Sequence, residues 1–377
     1  MLATKLTRNM LAICLVGHLG LQPAIAQTLI PFDNEQWEIN AQESRIEEHL
    51  AKPSLFIQGG HALLSDVQFL NGIIEFDIAF TGERGFMGTI WRVLPDGNYE
   101  EFYLRPHQSG NPDANQYNPV FNNVAGWQLY HGPGYGAPVE YLFNQWMHVK
   151  VLISDSQAEM YVMDMETPLV FVPELKHDPV SGQIGVNAGG YAGAWFSGFT
   201  FTALDEPKLV GEPQEDRLGT AAEGTIMSWQ VSQTIAEQKL EGHTALGSEV
   251  KSSLQWQQLE CEATGLANLA RVNNWSYEEN TAFARVIVKS SKKQVAGISF
   301  GYSDRVRVYC NDQRVYSGTN RYMTRDYRYL GTIGLFDEVY LPLKSGKNEI
   351  WFAVSEDFGG WGVMARLINL DGLEIIQ

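Results

Sequence analysis

Two carboxylates stand two positions apart in the apolar segment GIIEFDIAF, residues 72–80. In a β-strand alternate side chains point to opposite faces, so Glu75 and Asp77 would share one face with Cα atoms about 6.6 Å apart. A retaining glycosidase holds its two carboxyl groups about 5–5.5 Å apart, and side chains leaning together from one strand could reach that distance. The pair is therefore a candidate acid/base pair. The alternative is the polar outer face of an ordinary antiparallel strand.

A second segment, NYEEFYLRPH at residues 98–107, alternates apolar side chains with polar and aromatic ones. When its apolar residues face the core, the opposite face carries Tyr99, Glu101, Tyr103, Arg105 and His107. We expect that face to be the one that holds Glu75, Asp77 and Arg92. Sugars bind to such surfaces because charged groups bond to hydroxyls while aromatic rings contact the apolar face of the sugar. The alternative is an Arg–Glu network that only supports the sheet.

The next segment, residues 106–138, is long and rich in Gly, Asn and Pro, and it carries Trp127 and Tyr130. Loops of this length are uncommon without a function, and binding residues concentrate on loops held by rigid sheets. We expect this loop to wall the face described above. A loop that packs only on its own aromatic residues is the alternative.

The N-terminus predicts export. Lys5 and Arg8 precede the apolar run 10–21, and Ala24 and Ala26 supply the small residues of a signal-peptidase site, so we expect a signal peptide at 1–26 cleaved after Ala26. The protein would then be secreted or periplasmic, and no later stretch is long enough to insert into a membrane.

The chain has 44 acidic and 27 basic residues, a net charge of −17. This charge argues against nucleic acid as a partner and favours a neutral ligand.

Short alternating runs bounded by Gly, Asn, Asp and Pro recur throughout, which predicts an all-β protein. Residues 41–50 have helical composition, and we expect a peripheral segment there. Residues 205–222 carry two prolines and many charges, as interdomain linkers do. The predicted organisation is a β-sandwich at 27–204, the linker at 205–222 and a second β-domain at 223–377.

The first domain resembles the concanavalin A-like lectin/glucanase sandwich, specifically its laminin G-like members. The matching stretches are GIIEFDIAFTGERGFMGTIWR, NYEEFYLRPHQSG, NQWMHVKVLISDSQAEMYV, SGQIGVNAG and AWFSGFTF. The resemblance implies a lectin, an adhesion module or a glycosidase, because this fold hosts all three. Glucanases of this class carry E-x-D-x-E or E-x-D-x-x-E on one strand. Glu75 and Asp77 match the first two places, but Ala79 and Phe80 stand where the second Glu would be.

The resemblance also implies a calcium site, because many members bind Ca²⁺ in loops. Asp113, Asn115 and Asn118 are the oxygen donors in the corresponding region. One carboxylate and two amides supply few of the six to eight oxygens that Ca²⁺ takes. Calcium is the one cofactor that the resemblance implies.

The second domain resembles galactose-binding-like jelly rolls through RVRVYCNDQRVYSG and VYLPLKSGKNEIWFAVSEDFGGWG. Gly359 and Gly360 predict a sharp turn that exposes Trp361 as a residue for stacking on a sugar; the alternative places Trp361 in the seam between the domains. Cys261 and Cys310 would form one disulfide or remain as two buried thiols, and the sequence leaves both open.

The leading hypothesis is an exported protein that binds a neutral glycan on the polar-aromatic face of the first domain. The ligand-binding residues would be Arg92, Tyr99, Tyr103, Arg105, His107, Trp127, Tyr130 and Trp361. One alternative is a glycoside hydrolase that uses Glu75 or Asp77 with Glu101. A further alternative is a protein-interaction or adhesion module, which predicts an exposed apolar patch.

Overall fold

The computed structural model describes residues 27–214, 218–324, 326 and 328–376. The predicted signal peptide, 1–26, and its cleavage site lie outside these residues. The described part of the chain is all-β, as predicted. Its helices are one short α-helix, Ser248–Ser253, and three 3₁₀ turns at Pro106–Gln108, Glu237–Leu240 and Leu269–Arg271. None of its helices is long and apolar enough to cross a membrane.

The N-terminal half forms one large antiparallel sheet, which we call the first sheet. Its strands are Thr28–Leu29 (β1), Trp37–His49 (β2), Lys52–Leu64 (β3), Gly72–Ala79 (β4), Met87–Val93 (β5), Tyr99–Leu104 (β6), Asn115–Phe121 (β7), Val124–Ala125 (β8), Met147–Ser154 (β9), Gln157–Val162 (β10), Val170–Val172 (β11), Gln183–Ala188 (β12) and Ala194–Ala203 (β13). They run in the order β11-β10-β9-β4-β13-β3-β12-β5-β6-β7-β8, with β1 beside β13 and β2 beside β3.

The sheet curls around a core to which both of its ends contribute. Ile74, Phe76 and Ile78 of β4 are fully buried there, together with Trp91 of β5 and Tyr117 of β7. The alternation predicted for residues 72–80 is therefore correct, because the apolar side chains of β4 enter the core and its carboxylates point outward.

The C-terminal half forms two further antiparallel sheets. Its strands are Ser228–Ser232 (β14), Trp256–Glu260 (β15), Ala267–Asn268 (β16), Thr281–Ser290 (β17), Gln294–Ser303 (β18), Arg305–Cys310 (β19), Gln313–Thr319 (β20), Asp337–Leu343 (β21), Gly346–Ser355 (β22), Gly362–Leu367 (β23) and Leu373–Ile376 (β24). One sheet has the order β15-β14-β17-β22-β19-β20, with β24 beside β17, and the other has the order β16-β23-β18-β21. Side chains from both sheets share one core. Cys261 and Cys310 are both free thiols.

The two halves pack against each other through apolar and polar contacts. Ile333 and Met364 of the C-terminal half belong to the core of the first sheet, whereas Phe121 of β7 belongs to the core of the C-terminal half. Gln128 is fully buried in this seam, where its amide donates to the carbonyl of Leu330 at 2.8 Å. The seam holds the two halves in contact, so residues from both can form one site.

Residues 41–49 belong to the long strand β2, which pairs only with β3 beside the main strand order. The segment is thus peripheral but extended, because strand pairing overrides its weak helical propensity. The segment 106–138 is only partly a loop, since it contains β7 and β8. Strand β7 continues the first sheet beyond β6 and brings the aromatic turn at 126–130 to the seam.

Candidate functional site

A cleft of about 470 Å³ lies along the seam, with walls from both halves. The first sheet contributes Glu101, Tyr103 and Arg105, and the turns around it contribute His107 and Trp127. The facing wall contains the aromatic residues Trp275, Tyr277, Tyr322 and Phe358 and the acidic residues Glu356 and Asp357. The cleft therefore combines aromatic planes with charged groups.

Strand β6 positions the polar wall. Phe102 and Leu104 are buried in the core, at 1% and 0% exposure, so Glu101, Tyr103 and Arg105 point together to the other face. The sequence predicted this shared face correctly. The structure adds that the C-terminal half covers the face and makes it a cleft.

Glu101 is a buried carboxyl group that amides hold on both oxygens. The side-chain amide of Asn118, on the neighbouring strand β7, donates to Oε2 at 2.7 Å, and that of Asn187, on β12, donates to Oε1 at 2.5 Å. Burial raises the pKa of Glu101, and the two amide hydrogen bonds oppose that rise. The carboxyl group is thus held in one orientation at the cleft wall.

Arg105 is fixed by a similar set of contacts. Its guanidinium donates to the carbonyl oxygen of Asp113 at 3.0 Å, to the hydroxyl of Tyr103 at 2.8 Å and to the amide oxygen of Gln116. Its Cζ atom also lies 6.0 Å from the ring centroid of Trp127, within cation–π range. Burial raises the pKa of Tyr103 to about 12, so its hydroxyl stays protonated.

The facing wall contains an acidic group that sequence analysis missed. Glu356 is 1% exposed; the backbone N–H of Gly360 donates to its Oε1 at 3.0 Å, and its Oε2 has no hydrogen-bond partner among the described residues. Burial and the nearby carboxylate of Asp304 raise the pKa of Glu356 well above its usual range. This carboxyl group therefore holds a proton more readily than an ordinary glutamate does.

Gly359 lets this wall approach the aromatic turn closely. Its φ is +105°, and a Cβ atom there would lie 2.6 Å from the amide of Gln128 and 2.8 Å from the ring of Trp127. The sequence EDFGGWG had predicted an exposed residue in this turn, but that residue was Trp361. Trp361 is fully buried in the C-terminal core, and its indole N–H donates to the carbonyl of Val354 at 3.0 Å. The prediction that the turn exposes Trp361 is wrong, because the two glycines direct Phe358 to the cleft instead.

Glu75 and Asp77 also point away from the core, but they lie elsewhere along the sheet, and the prediction that they form one site with Glu101 is wrong. Four strands separate β4 from β6 in the sheet, a path of about 24 Å. Asp77 pairs with Lys52 at 2.5 Å and with His148 at 2.8 Å on an open surface, which we call the outer patch. Burial alone would raise the pKa of Asp77, but these two partners outweigh burial and lower it. The error arose because β6 pairs with β5 and β7, not with β4.

Three other predicted ligand-binding residues do not line the cleft. Arg92 is buried and donates to the carbonyls of Leu70, at 3.0 Å, and Asp155, at 2.6 Å, so it supports connecting loops. Tyr130 is buried in the seam with its hydroxyl 2.5 Å from Glu262. Tyr99 lies on β6 but is not a lining residue. The cleft does contain four of the predicted residues, Tyr103, Arg105, His107 and Trp127.

The calcium donors do not assemble into one site. Asn115 bonds through its amide to the backbone of Ala137, whereas the amide of Asn118 bonds to Glu101 and Gly126, and Asp113 contacts Arg105. Among the described residues no group of three or more His, Cys, Asp or Glu side chains could hold a metal ion. The donor set that the resemblance implied therefore does not fit Ca²⁺.

No family model and no curated protein matches this chain. Among solved structures, the carbohydrate-binding module CBM66 from Bacillus subtilis is 16% identical with a TM-score of 0.34, over 45% of this chain and 96% of that module. The β-glucanase of Bacillus licheniformis is 12% identical with a TM-score of 0.34, over 48% of this chain and 100% of that enzyme. A Bacillus subtilis protein with a galectin-like fold is 12% identical with a TM-score of 0.35, over 46% of this chain and 94% of that protein. Scores this low carry no argument about function.

Proposed function

We propose that this protein binds a carbohydrate in the cleft between its two halves. The observation that carries the proposal is the convergence of aromatic rings from both walls on a buried carboxyl group and a fixed guanidinium. Sugar rings present apolar faces and hydroxyl edges, and a cleft of this composition offers a partner to each. The binding site is thus a cleft, rather than the open sheet face expected from the sequence.

Glycan-array screening followed by calorimetric titration tests this proposal. Trp127→Ala removes one aromatic wall, and we expect it to weaken binding of the selected glycan about tenfold. Trp146→Ala is the matched control, because Trp146 is a half-buried tryptophan directly before β9 that does not line the cleft. Equal effects of the two substitutions would contradict the proposal.

A glycoside hydrolase is the second candidate, favoured by two carboxyl groups on facing walls. Glu101 is oriented by two amides, whereas burial beside Asp304 raises the pKa of Glu356. Glycoside hydrolysis uses two carboxyl groups that flank the scissile bond, and a raised pKa suits the one that acts as the general acid. In this candidate mechanism Glu356 takes the place of Glu75 or Asp77 as the partner of Glu101, because Glu75 and Asp77 are ion-paired on the outer patch.

Product analysis separates the two candidates. The glycan that binds is incubated with the protein, and released sugars are measured by chromatography. A hydrolase would release products, and Glu101→Gln would abolish release while retaining binding. Binding without release supports a carbohydrate-binding protein.

Export belongs to the same proposal and is supported by the charged, apolar and small-residue order of residues 1–26. N-terminal sequencing of protein recovered outside the cytoplasm tests it. A mature chain that begins at Gln27 is the expected result.

A further inference from the structure

Three basic side chains gather around one aromatic ring at the mouth of the cleft. The guanidinium carbons of Arg84 and Arg105 lie 5.6 and 5.9 Å from the ring centroid of Phe86, and the His107 ring lies 5.5 Å from it. All four residues line the cleft. We call this group the basic end.

The charges of the basic end are not balanced. Asp113 is the carboxylate that pairs with Arg105, at 3.3 Å. Arg84 is exposed and forms no ion pair within the described parts of the chain. One positive charge is therefore free to meet a ligand.

Arg84 is also held in place before any ligand arrives. Its guanidinium lies over the rings of both Phe86 and Tyr191, the latter at 5.2 Å, and its backbone carbonyl accepts from the N–H of Ala192. Stacking leaves the edge of the guanidinium available for hydrogen bonds. A planar carboxylate can form two parallel bonds with such an edge.

His107 adds an unsatisfied polar atom to the same place. Its Nδ1 is buried and has no hydrogen-bond partner among the residues that the structure describes. Burial and the neighbouring charges of Arg84 and Arg105 lower its pKa to about 4, so the imidazole is neutral at pH 7. A neutral imidazole can donate to a ligand oxygen without adding a second charge.

We propose that the basic end binds the carboxylate of an acidic sugar unit, so that the ligand of the cleft is a glycan containing uronic acid. This inference rests on the proposed function. It changes the expected ligand from a neutral glycan, which the net charge of −17 had favoured, to an acidic one. The charges close to the ligand decide its class, since exposed charges farther away than about 8 Å are largely screened at physiological salt.

The test compares matched polysaccharides on one array and by titration: xylan with glucuronoxylan, galactan with polygalacturonate, and a sulfated galactan. We expect the wild-type protein to bind a uronate-containing member at least tenfold more tightly than its neutral partner. Arg84→Gln should remove that preference while retaining the weaker binding of the neutral glycan. Added salt should weaken uronate binding to the wild type more than to the variant.

Arg45→Gln is the matched control, because Arg45 is another exposed arginine over an aromatic ring, Phe56, and neither residue lines the cleft. Binding of neutral and acidic partners with equal affinity, unchanged by Arg84→Gln, would overturn the inference and leave the proposed function standing. Preference for the sulfated galactan over both uronates would overturn the carboxylate assignment. A protein that binds none of the glycans would refute the proposed function, and this inference with it.

Discussion

The outer patch and the cleft contain similar residue types on the same sheet, but their chemistry differs. In the outer patch Asp77 is paired with Lys52 and His148 on an open surface. In the cleft Glu101 is buried and bonded only to neutral amides. The first carboxylate is already neutralised by cations, whereas the second keeps its charge for a ligand or a proton.

Two carboxylates close together in the sequence predict a site only when the side chains that pair with them in the fold are known. Glu75 and Asp77 have the spacing of a catalytic motif, yet their cations come from β3 and β9, which the motif does not include. Glu101 has no motif, but the seam between the two halves encloses it. Enclosure and the absence of a paired cation distinguish the cleft.

Exchanging each carboxyl group for its amide gives the largest expected difference. Glu101→Gln would keep one acceptor oxygen but place an amide N–H₂ against the donating amide of either Asn118 or Asn187, so we expect a loss of about 1–3 kcal/mol in the free energy of unfolding. Asp77→Asn removes a half-exposed ion pair and should cost at most about 1 kcal/mol. Urea denaturation of both variants measures the difference. Equal losses would show that the two carboxyl groups have similar environments.

The pH dependence of stability should have opposite signs in the two regions. Burial raises the pKa of Asp304, whose Oδ2 accepts from the backbone of the cleft residues Asp357 and Phe358, to about 6. Because this folded pKa lies above the ordinary value of 3.8, Asp304 favours folding at low pH, and that contribution is lost as pH rises from about 4 to about 6. The lowered pKa of Asp77 has the reverse effect, so its contribution is lost as pH falls below about 4.

Denaturation of the wild type, Asp304→Asn and Asp77→Asn across pH 3–7 tests these signs. Asp304→Asn should remove part of the decline between pH 4 and 6, and Asp77→Asn should remove part of the loss below pH 4. A profile that Asp304→Asn leaves unchanged would contradict the assigned pKa.

The last comparison concerns the titration of one histidine, His148, in the outer patch. Hydrogen bonds to Asp77 and Glu75 raise the pKa of His148 to about 9. The stability that this group contributes is present below pH 6.5 and is lost as pH rises from 6.5 to 9. NMR titration of the imidazole should show the raised pKa in the wild type and a lower value in Asp77→Asn. An ordinary pKa near 6.5 in the wild type would show that the patch does not form in solution.

The sequence by itself determined the all-β class, the alternation in β4 and the shared face of Glu101, Tyr103 and Arg105. These features are local, because strand periodicity follows from backbone geometry and the burial of apolar residues selects the inner face. The sequence also singled out Trp127 and His107, which line the cleft.

Only the tertiary structure decided which strands are neighbours and what covers them. Strand order depends on pairings between residues far apart in the chain, so nothing local separated Glu75 from Glu101 by four strands. The facing wall comes from segments at residues 275–277, 322 and 356–358, all far from Glu101 in the chain. Its placement depends on the seam, where apolar burial and the bonds of Gln128 join the two halves. The same packing buried Trp361 and left Arg84 exposed at the mouth of the cleft.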